Sequence, residues 1–115
     1  MVVELKRKAD VELPPDVETT FNEHYNNVHL PLMLKVPGVV EIHRYKSKTG
    51  MYAGTPMEGG YYITEYILES EDIIEQSLSS PERKEALRDS ALINLIDKYF
   101  TTKRFIYIPI YSIQK

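Results

Sequence analysis

The chain has 115 residues, 43% hydrophobic and 27% charged, which fits one folded domain over residues 1–115 and excludes a disordered segment. Cysteine is absent, so disulfide frameworks, thiolate metal sites and cysteine nucleophiles are excluded. Fourteen basic against seventeen acidic residues leave a net charge of −3, so neither nucleic acid nor an anionic membrane is an expected partner.

Met1-Val2-Val3 is followed at once by Glu4, Lys6, Arg7 and Lys8, which interrupts any signal-peptide apolar region. No window approaches the roughly 18 consecutive apolar residues of a membrane helix, and a cytoplasmic protein is expected. The first strand starts at Val3, with Val3, Leu5 and Arg7 on one face and Val2, Glu4 and Lys6 on the other. Pro14-Pro15-Asp16 opens a helix, since proline suits a first turn and Asp16 and Glu18 favour its positive end. Phe21, Tyr25, Val28 and Leu32 then recur at the spacing of one helical face. Pro31 cannot donate its N–H, which predicts a kink near His29-Leu30, and Pro37-Gly38 closes the element.

A second strand runs from Val39 to Lys48, with Val40, Ile42 and Arg44 opposite Glu41, His43 and Tyr45. The glycine-rich segment from Thr49 to Gly60 reads as a long, mobile connection that could cover a pocket mouth through Met51, Tyr52 and Met57. Its glycines match no phosphate-binding spacing. Tyr61 to Leu68 is a third strand, apolar on both faces: Tyr62, Tyr66 and Leu68 against Tyr61, Ile63 and Ile67. Ser70-Glu71-Asp72 starts a short helix, and Ser79 with Glu82 has capping-box spacing for another. Leu87, Ala91, Leu95 and Tyr99 mark its expected buried face, and the last strand is placed at Arg104 to Gln114.

The order β-α-β-β-α-β predicts an α+β, ferredoxin-like fold: one four-stranded antiparallel sheet with the helices on one face. The apolar residues on both faces of the third and fourth strands ask for cover on the other side as well. A second subunit packed sheet against sheet supplies it, burying on the order of 2,000 Å². Pro109 cannot donate to a ladder and is expected at an edge or bulge, with the residues beyond it reaching over the partner.

Phe21, Tyr25, His29-Leu30-Pro31-Leu32 and Pro37-Gly38 together resemble the signature of the EthD family of dimeric α+β barrel proteins. Leu68-Glu69-Ser70-Glu71-Asp72 and Ser80-Pro81-Glu82 resemble that family's strand-to-helix segment. The resemblance implies a homodimer joined through its sheets. It also implies a pocket between sheet and helices for a small aromatic or polyketide-like molecule, with cofactor-free oxygenase, cyclase or isomerase chemistry among relatives.

His29 is the candidate catalytic residue, because it lies about 80° from Phe21 on a helical wheel, where a side chain reaches a pocket mouth. A neutral imidazole there serves as general base or as hydrogen-bond partner to an aromatic hydroxyl; the alternative is a histidine tying down backbone at the kink. Tyr25, Tyr62 and Tyr66 are candidate ligand-binding residues through their rings and hydroxyls, or else ordinary core and interface. His24 and His29 stand about 140° apart on an ideal helix, and His43 is on a strand, so no metal site is expected. Three functions stay open: a small-molecule enzyme without cofactor, a non-catalytic binding or sensing dimer, and a haem-handling barrel.

Overall fold

The computed structural model describes residues 1–48, 50–52, 55–57 and 61–115. The strands are β1 (Val2–Arg7), β2 (Val39–Lys46), β3 (Gly50–Tyr52), β4 (Thr55–Met57), β5 (Tyr61–Leu68) and β6 (Phe100–Phe105). The helices are α1 (Pro15–His24), α2 (Leu30–Met33), α3 (Ile74–Ser79), α4 (Pro81–Ala86) and α5 (Ser90–Tyr99). A π-helical turn (Tyr25–His29) joins α1 to α2, and a 3₁₀ turn (Glu71–Ile73) precedes α3. Four strands form one antiparallel sheet in the order β2-β5-β1-β6, the ferredoxin-like order.

β3 and β4 pair with each other as a short hairpin inside the segment read from sequence as a plain connection. Its side chains lie outside the described residues, as do residues 49, 53–54 and 58–60. The expected mobility of that segment, and the expected contacts of Met51, Tyr52 and Met57, therefore fall outside the described residues.

Strand alternation decides which side chains face the helices. Val3 and Leu5 on β1 and Tyr62, Thr64 and Tyr66 on β5 are buried, as is Phe100 on β6. Phe21 of α1, 1% exposed, is the centre of this layer. It stacks on Phe100 at 5.1 Å between ring centroids and meets Tyr25 and Tyr62 edge-on at 5.6 and 5.9 Å.

The kink expected at Pro31 is a π-helical turn. Proline lacks an N–H and its ring would clash with the carbonyl four residues back. The chain widens by one residue instead, and the Leu30 N–H reaches the Tyr25 carbonyl. The extra residue shifts the phase of everything after it. Val28, expected on the buried face, is 41% exposed, while His29, Met33 and Val36 turn inward. Gly38 then takes φ +88°, the left-handed conformation glycine adopts without strain, and the chain enters β2. A bulge between Val39 and Glu41 leaves Val40 exposed and aims Ile42 and Arg44 at the helices.

Three expectations in the second half are corrected. The helix after Ser80 is two helices, because the Asp89 carboxylate accepts the Leu92 N–H at 3.1 Å and starts α5 afresh. Leu92 is buried in consequence, and Ala91, expected on the buried face, is exposed. The α4 cap is Ser80 Oγ, accepting the Arg83 N–H at 3.2 Å; the Ser79 hydroxyl donates to the Glu75 carbonyl instead. The last strand is Phe100–Phe105 rather than Arg104 to Gln114. Only residues 2–7 of β1 are available to pair, and Phe105 against Val2 exhausts them. Ile106 to Lys115 continues without a ladder beyond edge strand β6, and it contains Pro109.

Candidate functional site

A cavity of about 290 Å³ lies between the helix-facing side of the sheet and the helices. Its apolar wall includes Val3 and Leu5 of β1, Met33 of α2 and Leu92 and Ile96 of α5. Its polar wall includes Tyr25, His29, Tyr66, Arg83, Asp89, Asp97, Thr102 and Arg104. The structure thus places His29, Tyr25 and Tyr66 on one cavity, while Tyr62 is not on its wall. Tyr62 packs against Phe21 and Phe100, and its hydroxyl accepts from Asn22 Nδ2 at 3.2 Å.

The π-helical turn is what delivers His29 to the cavity. Its ring is 7% exposed and stands edge-on to Tyr25 at 4.9 Å between centroids. Burial pushes its pKa down; the Ala86 backbone carbonyl and the Asp89 carboxylate oppose this, and His24 and Arg44 reinforce it. The imidazole is therefore neutral near pH 7. Its Nδ1 is buried without a hydrogen-bond partner among the described residues.

Two tyrosine hydroxyls extend this polar wall. Thr64 Oγ1 donates to Tyr25 Oη at 3.2 Å. Burial, reinforced by Tyr25, pushes the Tyr66 pKa far above the ordinary phenol range, so its hydroxyl stays protonated. Behind them, the Arg44 guanidinium lies 4.2 Å from the Tyr25 ring centroid and 4.8 Å from that of Tyr62. Its Nη1 donates to Asn26 Oδ1 at 3.1 Å, and burial holds its pKa below the ordinary arginine range.

Asp89 joins the two halves of the chain. One oxygen caps α5 and the other is in close hydrogen-bonding contact with His24 Nε2 of α1. The pairing with His24 holds the Asp89 carboxyl below the usual carboxylate range. Both His24 and His29 thus influence one carboxylate, although they stand apart on an ideal helix. Among the described residues no group of three His, Asp or Glu side chains could hold a metal ion.

Sequence reasoning did not single out Arg83, Asp89 or Arg104. Arg83 lies in α4 and Asp89 caps α5 at the break between them, which no periodicity announced. Arg104 belongs to a strand that was placed too late in the chain. Arg44 carried a usable signal, since alternation put it on the same face as Ile42.

Among the described residues no helix covers the other face of the sheet. Tyr45, Ile67 and Phe105 are 52%, 36% and 39% exposed there, and Ile110 and Tyr111 beyond β6 are 96% and 79% exposed. No helix among the described residues is long and apolar enough to cross a membrane.

A four-stranded antiparallel sheet of order β2-β5-β1-β6, helices on one face and a cavity between the layers define a ferredoxin-like α+β protein. The EthD domain family model matches residues 15–98, and the chain belongs to the EthD family. The crystal structure of an EthD family protein from Bacillus halodurans shares the fold, with a TM-score of 0.57 at 20% identity. That match covers 91% of this chain and 96% of the other. No curated protein matches the chain.

Proposed function

We propose that the protein binds a small aromatic or polyketide-like molecule in the cavity between sheet and helices, with His29 as proton acceptor and no cofactor. The observation that carries this reading is a buried, neutral imidazole on the wall of an otherwise largely apolar cavity. A volume of about 290 Å³ is at the lower end of cavities that hold small ligands. In the reactive step a ligand O–H gives its proton to the His29 ring, leaving an imidazolium and an oxyanion for cofactor-free oxygenation, cyclisation or isomerisation. Tyr25 and Tyr66 shape the same wall. Tyr62 contributes through packing behind it rather than by contact.

The working unit in this proposal is a homodimer joined through the open sheet face. Tyr45, Ile67 and Phe105 are part-exposed on that face, and a second copy would cover them.

Binding of 1-naphthol tests the site, because its absorption changes when the hydroxyl ionises. The wild type is expected to bind 1-naphthol and to show the naphtholate band at a lower pH than free naphthol. His29→Gln should keep the binding and lose the shift. Binding without any shift in either protein supports a non-catalytic binder; absence of binding overturns the reading.

A further inference from the structure

β1 starts at Val2, opposite Glu65 of β5 and Phe105 of β6. β5 runs on to Leu68, and the chain after β6 runs on past Phe105 with Ile106 to Pro109. Between these two segments lies a groove of about 560 Å³, with Met1 and Val2 at its β1 end. Ile67, Leu68, Ile74, Ile106 and Ile108 supply its apolar lining. Ile106 and Ile108 are 50% and 52% exposed.

This groove and the cavity that holds His29 are neighbours. Met1 and Tyr66 line both. A void of about 10 Å³ lies between them: it shares Met33 and Arg83 with the cavity, and Leu68, Ile74 and Ile106 with the groove. This neck is too narrow for a chain to pass without movement, and two of its wall residues are suited to move. The Met1 backbone is fixed to that of Tyr66 by hydrogen bonds of 2.8 and 2.9 Å, which leaves its side chain to repack. Met1 and Met33 are unbranched, with three rotatable bonds each, and adapt readily to a new neighbour.

The path changes from polar to apolar along its length. Tyr25, His29 and Asp89 belong to the cavity alone, whereas the neck is walled chiefly by Met1, Met33, Val36, Val39 and Leu78. The groove's polar side chains include Glu65, Glu69 and Glu71, and none among its lining residues is basic, which disfavours a chain ending in a carboxylate. The cavity alone is at the small end of ligand sites. Cavity, neck and groove together lie well inside the usual range of roughly 300–1,000 Å³.

Resting on the binding reading above, we propose that the ligand carries a long, uncharged alkyl chain. Its aromatic hydroxyl end occupies the cavity beside His29, and its chain passes the neck and lies in the groove against Ile106 and Ile108. Ile110 and Tyr111 fall outside the groove's lining and are left for the second copy.

Calorimetric titration of the wild type with phenol and its 4-ethyl, 4-butyl, 4-hexyl and 4-octyl derivatives tests this without any variant. Full burial strengthens binding about four-fold per methylene, and burial against one side of an open groove about two-fold. 4-Octylphenol is therefore expected to bind at least about ten-fold tighter than 4-butylphenol. Ile106→Trp, which sets a bulky ring where neck and groove meet, should bring that ratio below about three-fold. A wild-type series that levels off at 4-butylphenol, as a second copy seated in the groove would produce, overturns this inference and leaves cavity binding intact. An unchanged ratio in Ile106→Trp also overturns it, because the chain then lies elsewhere. Failure of phenol and all four derivatives to bind overturns the binding reading and this inference with it.

Discussion

Removing the Asp89 carboxylate asks how much of the cavity wall one side chain holds. Its Oδ1 accepts the Leu92 N–H at 3.1 Å, and its Oδ2 pairs with His24 on α1. Losing an aspartate cap typically costs about 1 kcal/mol. Exposed ion pairs contribute about 0.2–1 kcal/mol. The His24 and Asp89 side chains are only 33% and 18% exposed, which puts this pair toward the upper end. Asp89→Ala should therefore cost about 2 kcal/mol, or about 8 °C in Tm at about 4 °C per kcal/mol. Asp89→Asn keeps a capping oxygen and loses only the pair, so it should fall by about half as much. His24→Ala should match Asp89→Asn, and the double variant should lose no more than either alone.

The same pair sets a pH dependence. The native Asp89 carboxyl binds its proton less readily than in the unfolded chain, chiefly because of His24. Its contribution is therefore complete above about pH 4 and is lost as the pH falls through the lowered native value. Thermal unfolding followed by circular dichroism at pH 6 and in acid measures both effects. The gap between wild type and Asp89→Asn should close in acid. Asp89→Ala melting within about 2 °C of wild type refutes the reasoning, as does Asn and Ala variants melting together.

Gly38→Ala should cost about 2–5 kcal/mol, combining about 1–2 for left-handed backbone with about 1–3 for overpacking. Its φ is +88°, and a Cβ would stand 2.5 and 2.7 Å from Ile73 Cγ1 and Cγ2; a Tm loss below about 4 °C contradicts this. In light scattering at micromolar concentration the full chain should weigh twice its 13.4 kDa, and deletion of Ile106 to Lys115 should weaken the dimer at least about ten-fold. A full-length monomer refutes the homodimer.

The sheet was legible because most of its inward residues alternate. Val3 and Leu5 and Ile42 and Arg44 are two apart and Tyr62 and Tyr66 four apart, each pair on one face, and the structure keeps all three; Val40, expected with Ile42, is turned out by the bulge. The last strand was misplaced because the apolar run continues through Tyr107, Ile108 and Ile110, where no strand of this chain remains to pair. An unbroken apolar run reports that a segment wants cover on both sides. It does not say whether the same chain provides it, and here the Val2–Arg7 strand runs out first.

The site was half legible for a related reason. His29 could be found because the His-x-Pro-Leu element marks a place where the helix must deform, and a deformed helix re-aims the residues around it. An ideal 3.6-residue wheel put Val28 inside and left His29 at the margin. The π-helical turn exchanges them, exposing Val28 to 41% and burying His29 to 7%. The wheel was wrong in phase because Pro31 had removed the N–H that keeps the phase. Arg83 and Asp89 had no such marker: their positions follow from the Ser80 and Asp89 caps, which cut one expected helix into α4 and α5. Both arms of the site thus depend on interruptions of regular helix. Restoring regularity, by replacing Pro31 with a donor residue or Asp89 with a non-capping one, acts on the polar wall of the cavity before it acts on the sheet.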